Sequence, residues 1–396
     1  MPDRITLITA LQGAGWHPAA WRTAGPAAQR LTSLRHWRDV VVEQDRLGVD
    51  AVTIEDSFTA GPVDAAGDLD TSTVVGRLDA LLVANAVAPA TRALGLVPTV
   101  SVTHTEPFHV ATGLQTLDHV SQGRAGWRIQ VSPTAREAAL FGRRPGGDEA
   151  SVLFDEAREV AEVVSRLWDS WDDDAIIRDV TTGRFIDRDR IHNAAFAGSF
   201  VSVHGASIVP RSPQGRPPVF SLAHRADAAA FAVDAADVVL VTPGYDGREA
   251  RDLLDEVRHL EQVARSDVRR PVLADLAVLI GPSSAAAADA LASLDTAAGA
   301  PYASTSDTSV LATTVPELVT LIGDLRDLGF AGVRLRPLRI PLDSTAIARE
   351  LVPALVTAGL RADVASRPTA DLRTRLGIAP AVSRYASASA PVEVSA

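Results

Sequence analysis

Short apolar runs rich in β-branched residues recur along the chain, and longer stretches with apolar residues every three or four positions separate them. Eight runs have this character, at residues 5–11, 51–56, 94–102, 126–132, 217–223, 237–243, 274–280 and 332–338. Most are apolar almost throughout rather than alternating, which is typical of strands buried on both faces of a parallel sheet. The intervening stretches, such as 36–48 and 315–329, have the spacing of amphipathic helices.

Eight strands alternating with helices predict an α/β fold, a (β/α)8 TIM barrel with an insertion after strand 4, and a doubly wound sheet is the alternative. The chain has 396 residues, a length that one barrel domain can take. We expect a single domain over residues 1–380 and a flexible tail rich in alanine and serine over residues 381–396.

The interval 133–216 is too long to be one barrel helix. It contains an amphipathic stretch at residues 154–171, followed by a segment with many polar, glycine and proline positions. We predict that this excursion forms short strands and lies over the mouth of the barrel, where it would shape a pocket.

Composition narrows the class of protein. Hydrophobic residues make up 46% of the chain and charged residues 22%, which provides enough apolar material for a core. The formal net charge of −11 offers no basic surface for nucleic acid or anionic lipid, so we expect neither as a partner. Cysteine is absent, the amino terminus has no secretory pattern, and no apolar run can cross a bilayer. We therefore expect a cytoplasmic protein.

Common cofactor and metal motifs are incomplete. Residues 13–15 begin like a dinucleotide-binding turn, but Pro18 stands where a third glycine belongs. The densest group of histidines is His104, His109 and His119, and neither cysteine nor a well-spaced carboxylate accompanies it. We expect no metal site.

Polar residues crowd the carboxyl ends of the predicted strands, where barrel enzymes carry their active groups. These residues are Gln12, Glu55, Asp56, Thr99, Ser101, Thr103, Ser132, His224, Arg225, Thr242 and Arg336. Asp56 is the strongest candidate for a site residue, because a carboxylate close to the barrel axis needs a hydrogen-bonding partner when it is buried. For each of the others, a purely structural role at the strand end is an equal alternative.

The stretch EPFHVATGLQTLDHVSQGRAGWRIQVS at residues 106–132 resembles a signature of the flavin-dependent monooxygenases of the bacterial luciferase superfamily. The similarity is to the branch that contains nitrilotriacetate monooxygenase, dibenzothiophene-sulfone monooxygenase and pristinamycin IIA synthase. Further similar stretches are HPAAWR at 17–22, LWDSWDDDA at 167–175, VPRSPQGRP at 209–217 and LRTRLGI at 372–378. They follow in order along nearly the whole chain.

The resemblance implies an oxidoreductase that binds FMN at the carboxyl-terminal rim of a (β/α)8 barrel and uses no metal. In such two-component systems a separate flavin reductase supplies FMNH2, O2 adds to the flavin, and the flavin peroxide oxidises a small organic substrate. The protein orients the ring and excludes water. A homodimer is also implied, and the apolar stretch at residues 75–88 is either its interface or a core helix.

Carried onto this chain, the family's flavin-facing residues correspond to Asp56, Thr99 and Ser101. The family's Gly-Ser-Ser near the flavin phosphate is replaced by Ala-His-Arg at residues 223–225. We expect His224 and Arg225 to bind the phosphate through positive charge instead. Asp56, Thr99, Ser101 and Arg225 should then face one common hollow.

Other positions also depart from the family pattern. Ala150 and Phe154 stand where the family has a histidine and a tyrosine at the flavin, Arg128 replaces an asparagine, and His104 replaces the first of two tyrosines. We expect His104, Arg128 and Phe154 to line the substrate pocket, and we assign no catalytic residue. The lost donors leave two alternatives open, a flavin-poor, non-catalytic partner subunit and a barrel that uses a deazaflavin.

Overall fold

Eight parallel strands close into a barrel in the computed structural model, which describes residues 4–63, 67–144, 146–244, 247–363 and 370–386. The strands of the chain are β1 (Thr6–Leu11), β2 (Ala51–Ile54), β3 (Gly95–Ser101), β4 (Trp127–Gln130), β5 (Ile176–Asp179), β6 (Arg184–Ile186), β7 (Phe196–Ala197), β8 (Ser202–Val203), β9 (Val219–Leu222), β10 (Val238–Val241), β11 (Val272–Ile280), β12 (Val310–Thr313) and β13 (Gly332–Pro337).

The barrel runs in the order β1-β2-β3-β4-β9-β10-β11-β13, and β13 pairs with β1 to close the ring. Seven of the predicted apolar runs contain one of these strands, and the run 274–280 contains most of β11. The (β/α)8 TIM barrel is therefore confirmed, and the doubly wound alternative is excluded because that sheet has open edges.

Helices surround the barrel. They are α1 (Leu34–Leu47), α2 (Ala80–Val87), α3 (Pro107–Ser121), α4 (Ala135–Phe141), α5 (Ala150–Asp169), α6 (Ala226–Ala235), α7 (Gly247–Val263), α8 (Ser284–Ala298), α9 (Val315–Leu328), α10 (Leu342–Ala346), α11 (Val352–Thr357) and α12 (Leu372–Arg375). Two helices end at a glycine cap where the sequence predicted. The cap of α1 is Gly48 (φ 94°), and the cap of α9 is Gly329 (φ 112°). Within the described ranges, no helix has both the length and the apolar character to cross a membrane.

A ninth strand joins the sheet beside the barrel. β11 has nine buried residues, and its first part (272–274) pairs with β10 while its last part (277–280) pairs with β12. The apolar pattern did not predict β12, because this strand of four residues follows a stretch rich in serine and threonine. It extends the sheet at the carboxyl-terminal rim.

Most of the 133–216 insertion does not lie over the mouth, so that prediction is wrong. The 20 residues of α5 span about 30 Å at 1.5 Å per residue, and they carry the chain from the mouth to the opposite end of the barrel. The short strands β5 to β8 follow and pack on the outer faces of α3 and α5. Ser207 donates to Gln115 of α3 at 2.7 Å, and the N–H of Phe200 donates to Glu159 of α5 at 2.8 Å.

The segment predicted as a flexible tail is described over residues 381–386, and residues 387–396 lie outside the described ranges. Arg384 pairs with Glu162 of α5 at 3.0 Å. The ring of Tyr385 stacks on His192 of the insertion, with centroids 4.1 Å apart. These contacts hold the first residues of the tail against the same outer face that the insertion covers.

Adjacent side chains of β4 point to opposite faces of the barrel wall. Trp127 is fully buried on the outer face and lies edge-on to Trp168 of α5, with ring centroids 6.1 Å apart. Gly126 and Arg128, on either side of Trp127, consequently face the barrel interior. Gly126 allows close packing there, because a Cβ at this position would lie 2.9 Å from Cγ2 of Val97 and 3.1 Å from Cε2 of Phe220.

Candidate active site

Five charged side chains meet inside the barrel at its carboxyl-terminal end, and we call them the barrel network. They are Glu55, Arg128, Asp275, Arg334 and Arg336, and their side chains are between 0% and 8% exposed. Arg334 and Arg336 are two residues apart on β13, so both point inward. The strand register places Asp275 of β11 directly beside Arg334.

Asp275 holds both arginines of β13. Its Oδ2 accepts from Nη1 of Arg334 and Nη2 of Arg336, each at 2.6 Å, and its Oδ1 accepts from Nε of Arg336 at 3.0 Å. Glu55 pairs through Oε2 with Arg128 at 3.0 Å and through Oε1 with Arg334. The network thereby connects side chains from β4, β11 and β13 with the residue that follows β2.

The carboxylates of the network are ionised despite their burial. Burial by itself would raise the pKa of Glu55 and of Asp275, but attraction to the surrounding guanidinium groups outweighs it and lowers both pKa values below their ordinary range. Buried ions of this kind depend on each other, since loss of one partner leaves the other charge without compensation.

Asp307 and Trp16 complete the network at the mouth. Asp307 pairs with Arg336, and the ring centroid of Trp16 lies 4.5 Å from the guanidinium carbon of Arg336. The side chain of Asp307 is 47% exposed, so it is where the network reaches the solvent. With Asp307 included, three guanidinium groups face three carboxylates and the formal charge is balanced.

A cavity of about 280 Å³ opens beside Arg128, and we call it the Arg128 cavity. Phe154 and Phe231 lie on its wall, with ring centroids 5.2 Å apart. His224 and Arg225 lie at its edge, directly before α6. The free backbone N–H groups at a helix start favour an anion, so this edge of the cavity suits a phosphate.

The two basic residues at this edge differ in environment. Burial lowers the pKa of His224, which is therefore neutral near pH 7. Arg225 is 62% exposed and pairs locally with Asp227 at 3.1 Å. A local pair of this kind is weak in solvent and leaves the other guanidinium donors available to a ligand.

A second cavity of about 220 Å³ lies at the same rim, and we call it the Asp56 cavity. Asp56, Thr99 and Ser101 line it. The carboxylate of Asp56 accepts the N–H groups of Ser57 and Ala80, each at 2.8 Å, which fastens the start of α2 to the loop after β2. Burial raises the pKa of Asp56 above its ordinary value.

The hydroxyl groups of the Asp56 cavity already have protein partners. Thr99 accepts from Nη1 of Arg128 at 3.1 Å, and the hydroxyl of Ser101 lies 2.8 Å from that of Ser132. Gln130 links the two cavities, because its amide nitrogen donates to the carbonyl of Asp56 at 3.3 Å and its oxygen accepts from Arg128 at 2.8 Å.

The predicted site residues thus share one rim but not one hollow. Asp56, Thr99 and Ser101 line the Asp56 cavity, whereas Arg225 lines the Arg128 cavity. The side chains of Gln130 and Arg128 lie between these two groups of residues. The positions of the strand ends alone do not reveal this division of the rim into two cavities.

The predicted substrate-pocket residues are also divided. Arg128 and Phe154 line the Arg128 cavity, but His104 lines neither of the two cavities. The His104 ring stacks on Phe141 with centroids 4.9 Å apart, and its backbone is in the left-handed region (φ 72°). Its Nε2 is buried without a hydrogen-bond partner among the described residues.

The sequence argument missed Asp275, Asp307, Arg334 and Trp16. A usable signal was present for two of them, because charged residues interrupt otherwise apolar strands: Asp275 in β11, and Arg334 in β13 two positions before the predicted Arg336. In a buried strand, such positions must find opposite charges across the sheet. Trp16 and Asp307 lie in loops and have no comparable signal.

The chemistry of the Arg128 cavity fits a flavin mononucleotide. Its apolar wall suits a flat ring, and its basic edge suits a phosphate. Among the described residues, no three histidine, aspartate or glutamate side chains are grouped so that they could hold a metal ion.

This (β/α)8 barrel has two cavities and a basic edge at its carboxyl-terminal rim, which is the end where enzymes of this barrel class carry their active groups. The model of the luciferase-like monooxygenase family matches residues 14–329. The chain belongs to this family, as its sequence signature predicted.

Similar proteins include several monooxygenases. N-acetyl-S-(2-succino)cysteine monooxygenase of Bacillus subtilis (strain 168) is 31% identical over 245 residues, which are 61% of this chain and 53% of that protein. Nitrilotriacetate monooxygenase component A of Aminobacter aminovorans is 32% identical over 212 residues, which are 52% and 47% of the two chains. The chain spans about half the length of these two relatives.

A solved structure of the EDTA monooxygenase from Chelativorans sp. BNC1 superposes with a TM-score of 0.80 at 19% identity, covering 95% of this chain and 99% of that chain. At this identity the likeness establishes the fold alone.

Proposed function

We propose that this chain is the oxygenase component of a two-component monooxygenase, which takes FMNH2 from a separate flavin reductase and oxidises a small organic substrate with O2. Membership of the luciferase-like monooxygenase family supports the reaction class. The observation that carries the proposal is the Arg128 cavity, where an aromatic wall and a basic helix start face the same space.

In this proposal His224 and Arg225 hold the FMN phosphate. Arg225 supplies a permanent positive charge with several donors, and neutral His224 supplies one further hydrogen bond. Phe154 and Phe231 pack against the ring, and Asp56 and Thr99 act from the neighbouring cavity through Gln130 and Arg128, to which they are hydrogen-bonded. The apolar wall keeps water away from the reacting atoms.

The hard chemistry belongs to the cofactor, because reduced flavin supplies the two electrons that activate O2. The side chains of the chain bind, orient and shield it. We assign no residue to proton transfer, since none of the described groups is placed against a substrate.

A second candidate function is a non-catalytic partner subunit that binds little flavin. Ala150 and Phe154 both line the Arg128 cavity and offer no side-chain hydrogen bond, although the family resemblance places a histidine and a tyrosine there. Loss of two such bonds would weaken FMN by about 1 kcal/mol each. The basic edge at Arg225 favours the enzyme over this alternative.

Anaerobic titration of the purified chain with FMNH2, FMN and riboflavin, followed by absorbance, tests the proposal. We expect FMNH2 to bind, and Arg225→Ala to weaken FMN about tenfold with little effect on riboflavin, which lacks the phosphate. Arg349→Ala is the matched control, because Arg349 is 64% exposed and lies on the chain segment between α10 and α11. Failure of both FMN and FMNH2 to bind up to high micromolar concentration would overturn the proposal and favour the partner-subunit alternative, and binding of a deazaflavin instead would replace FMN in the proposal.

We also propose a homodimer that uses α2. Most of this helix is core, since Ala80, Val83, Ala84 and Val87 are buried, but Leu82 is 69% exposed. Leu82→Glu should shift the mass measured by light scattering from dimer to monomer. An unchanged mass would place the interface elsewhere or exclude it.

A further inference from the structure

A cavity of about 950 Å³ lies outside the barrel, along the exposed side of α1, and we call it the α1 groove. It is lined by α1, by Ala27 and Arg30 from the loop between β1 and α1, and by Pro341 and Arg349 around α10. The groove shares no lining residue with the Arg128 cavity or the Asp56 cavity. It is therefore separate from the site at the mouth of the barrel.

The α1 groove is basic although the chain as a whole is acidic. Five arginines line it, namely Arg30, Arg35, Arg38, Arg46 and Arg349. Only two carboxylates accompany them, so the lining carries a formal charge of +3. The rest of the chain carries −14, because the total is −11. A local positive surface on an acidic protein attracts negatively charged partners to one place.

Both carboxylates of the α1 groove already have partners. Glu43 pairs with Arg349 at 2.7 Å, and Asp39 lies 3.9 Å from Arg35. His36 also lines the groove, but burial lowers its pKa, so that its ring is neutral near pH 7. The excess positive charge of the groove consequently belongs to the three other arginines.

These three arginines, Arg30, Arg38 and Arg46, are exposed, and none of them forms an ion pair or a side-chain hydrogen bond with another described residue. Arg38 and Arg46 stand eight residues apart on α1, which is about 12 Å along the helix axis at 1.5 Å per residue. A single phosphate group cannot contact charges spread this far. An extended peptide of about four residues covers the distance, at about 3.3 Å per residue.

Apolar side chains form the rest of the lining. Val40 is buried, Val42 and Leu47 are partly buried, and Leu34 is 48% exposed. A flat bilayer does not reach the floor of a groove, and the negative charge on the rest of the chain repels an anionic membrane. A peptide that carries both carboxylates and apolar side chains matches the arginines and the floor together.

We propose that the α1 groove binds an acidic segment of a partner protein, whose carboxylates pair with Arg30, Arg38 and Arg46. The loop that carries Arg30 follows β1 at the carboxyl-terminal rim, so the partner docks beside the mouth of the barrel. This inference is independent of the proposed function, because neither cavity at the rim takes part in it.

The probe is a fluorescein-labelled peptide of four Glu-Glu-Leu repeats, titrated with the full chain and followed by fluorescence anisotropy. Arg38→Gln combined with Arg46→Gln removes two unpaired charges from the groove and retains good helix formers. Arg188→Gln combined with Arg269→Gln is the matched control. Both of these arginines are exposed outside the groove and form no ion pair or side-chain hydrogen bond with another described residue. Circular dichroism verifies that both double variants are folded.

We expect the peptide to bind the unmodified chain, and the affinity to fall as the salt concentration rises. The groove variant should bind it about fivefold or more weakly, because two exposed ion pairs are lost. The control variant should bind it as tightly as the unmodified chain does. A peptide of Gln-Gln-Leu repeats, which has no charge, should not bind.

Three results would each overturn the proposal. The first is that the acidic peptide does not bind the unmodified chain at physiological ionic strength. The second is equal weakening in the groove variant and the control variant, which would show a general effect of net charge. The third is that inorganic tripolyphosphate or vesicles containing phosphatidylserine bind through Arg38 and Arg46 while the peptide does not. Flavin is absent from these measurements, so their failure leaves the proposed function unaffected.

Discussion

Asp275 and Arg336 form a two-point ion pair inside the barrel, with Oδ1 3.0 Å from Nε and Oδ2 2.6 Å from Nη2. The same carboxylate holds Arg334 at 2.6 Å. One aspartate of β11 therefore pairs with two arginines of β13, and both strands are buried. This relationship makes Asp275 the centre of the barrel network.

Asp275→Asn should destabilise the fold strongly. Removing one partner from a buried ionic group leaves uncompensated charge and typically costs about 3–5 kcal/mol of the free energy of unfolding. Urea unfolding followed by circular dichroism measures the loss. Asp327→Asn is the control, because the Arg326–Asp327 pair is 38% and 67% exposed and contributes little. Equal unfolding midpoints for the two variants would contradict a central role of Asp275.

The stability contributed by Asp307 should depend on pH. Burial would raise its pKa, but the Arg336 guanidinium outweighs burial and lowers the pKa of Asp307 below the ordinary value of 3.8. A lowered folded-state pKa means that the stabilisation is fully present above the unfolded-state pKa and is lost as the pH falls through the folded-state pKa. Asp307→Asn should therefore be less stable than the unmodified chain at pH 7.

The difference in the free energy of unfolding between Asp307→Asn and the unmodified chain should become smaller as the pH falls below about 3.8. Because the Asp307 side chain is 47% exposed, the difference at pH 7 should be about 1 kcal/mol or less. Urea midpoints at pH 7, 5, 4 and 3 provide the measurement. A gap that stays constant or widens on acidification would show that Asp307 does not act through its charge.

The barrel could be predicted from the sequence because its buried parallel strands are short apolar runs, and amphipathic helical stretches separate them along the chain. The runs at 94–102 and 274–280, for example, contain β3 and most of β11. The position of the insertion could not be predicted in the same way. It depends on the length and direction of α5, which runs from the mouth of the barrel to the opposite end.

The candidate site was only partly predictable. Strand ends indicated Asp56 and Arg225, since barrel geometry alone brings such residues to one rim. The division into two cavities depends on where the side chains of Arg128 and Gln130 lie, and those positions follow from long-range pairs such as Arg128 with Glu55. Partners that are far apart in sequence leave no local pattern.

Gly126→Ala should destabilise the barrel, since the glycine allows close packing of the wall. A Cβ at this position would meet Cγ2 of Val97 at 2.9 Å and Cε2 of Phe220 at 3.1 Å. Crowding of this kind in a packed core typically costs about 1–3 kcal/mol of the free energy of unfolding. Gly205→Ala is the matched control, because nothing lies within 4 Å of its added Cβ and its φ is not positive. Thermal unfolding of the two variants tests this, and a similar Tm for both would show that the wall adjusts.

Ala150→His combined with Phe154→Tyr should strengthen FMN binding. Both positions line the Arg128 cavity, and the family resemblance places a histidine and a tyrosine there. Two restored hydrogen bonds of about 1 kcal/mol each correspond to a gain of roughly tenfold or more in affinity. Fluorescence titration with FMN measures the gain, and riboflavin serves as the control ligand because it lacks the phosphate. An equal gain for both ligands would place the new donors against the ring, and an unchanged FMN affinity would show that the phosphate does not reach this end of the cavity.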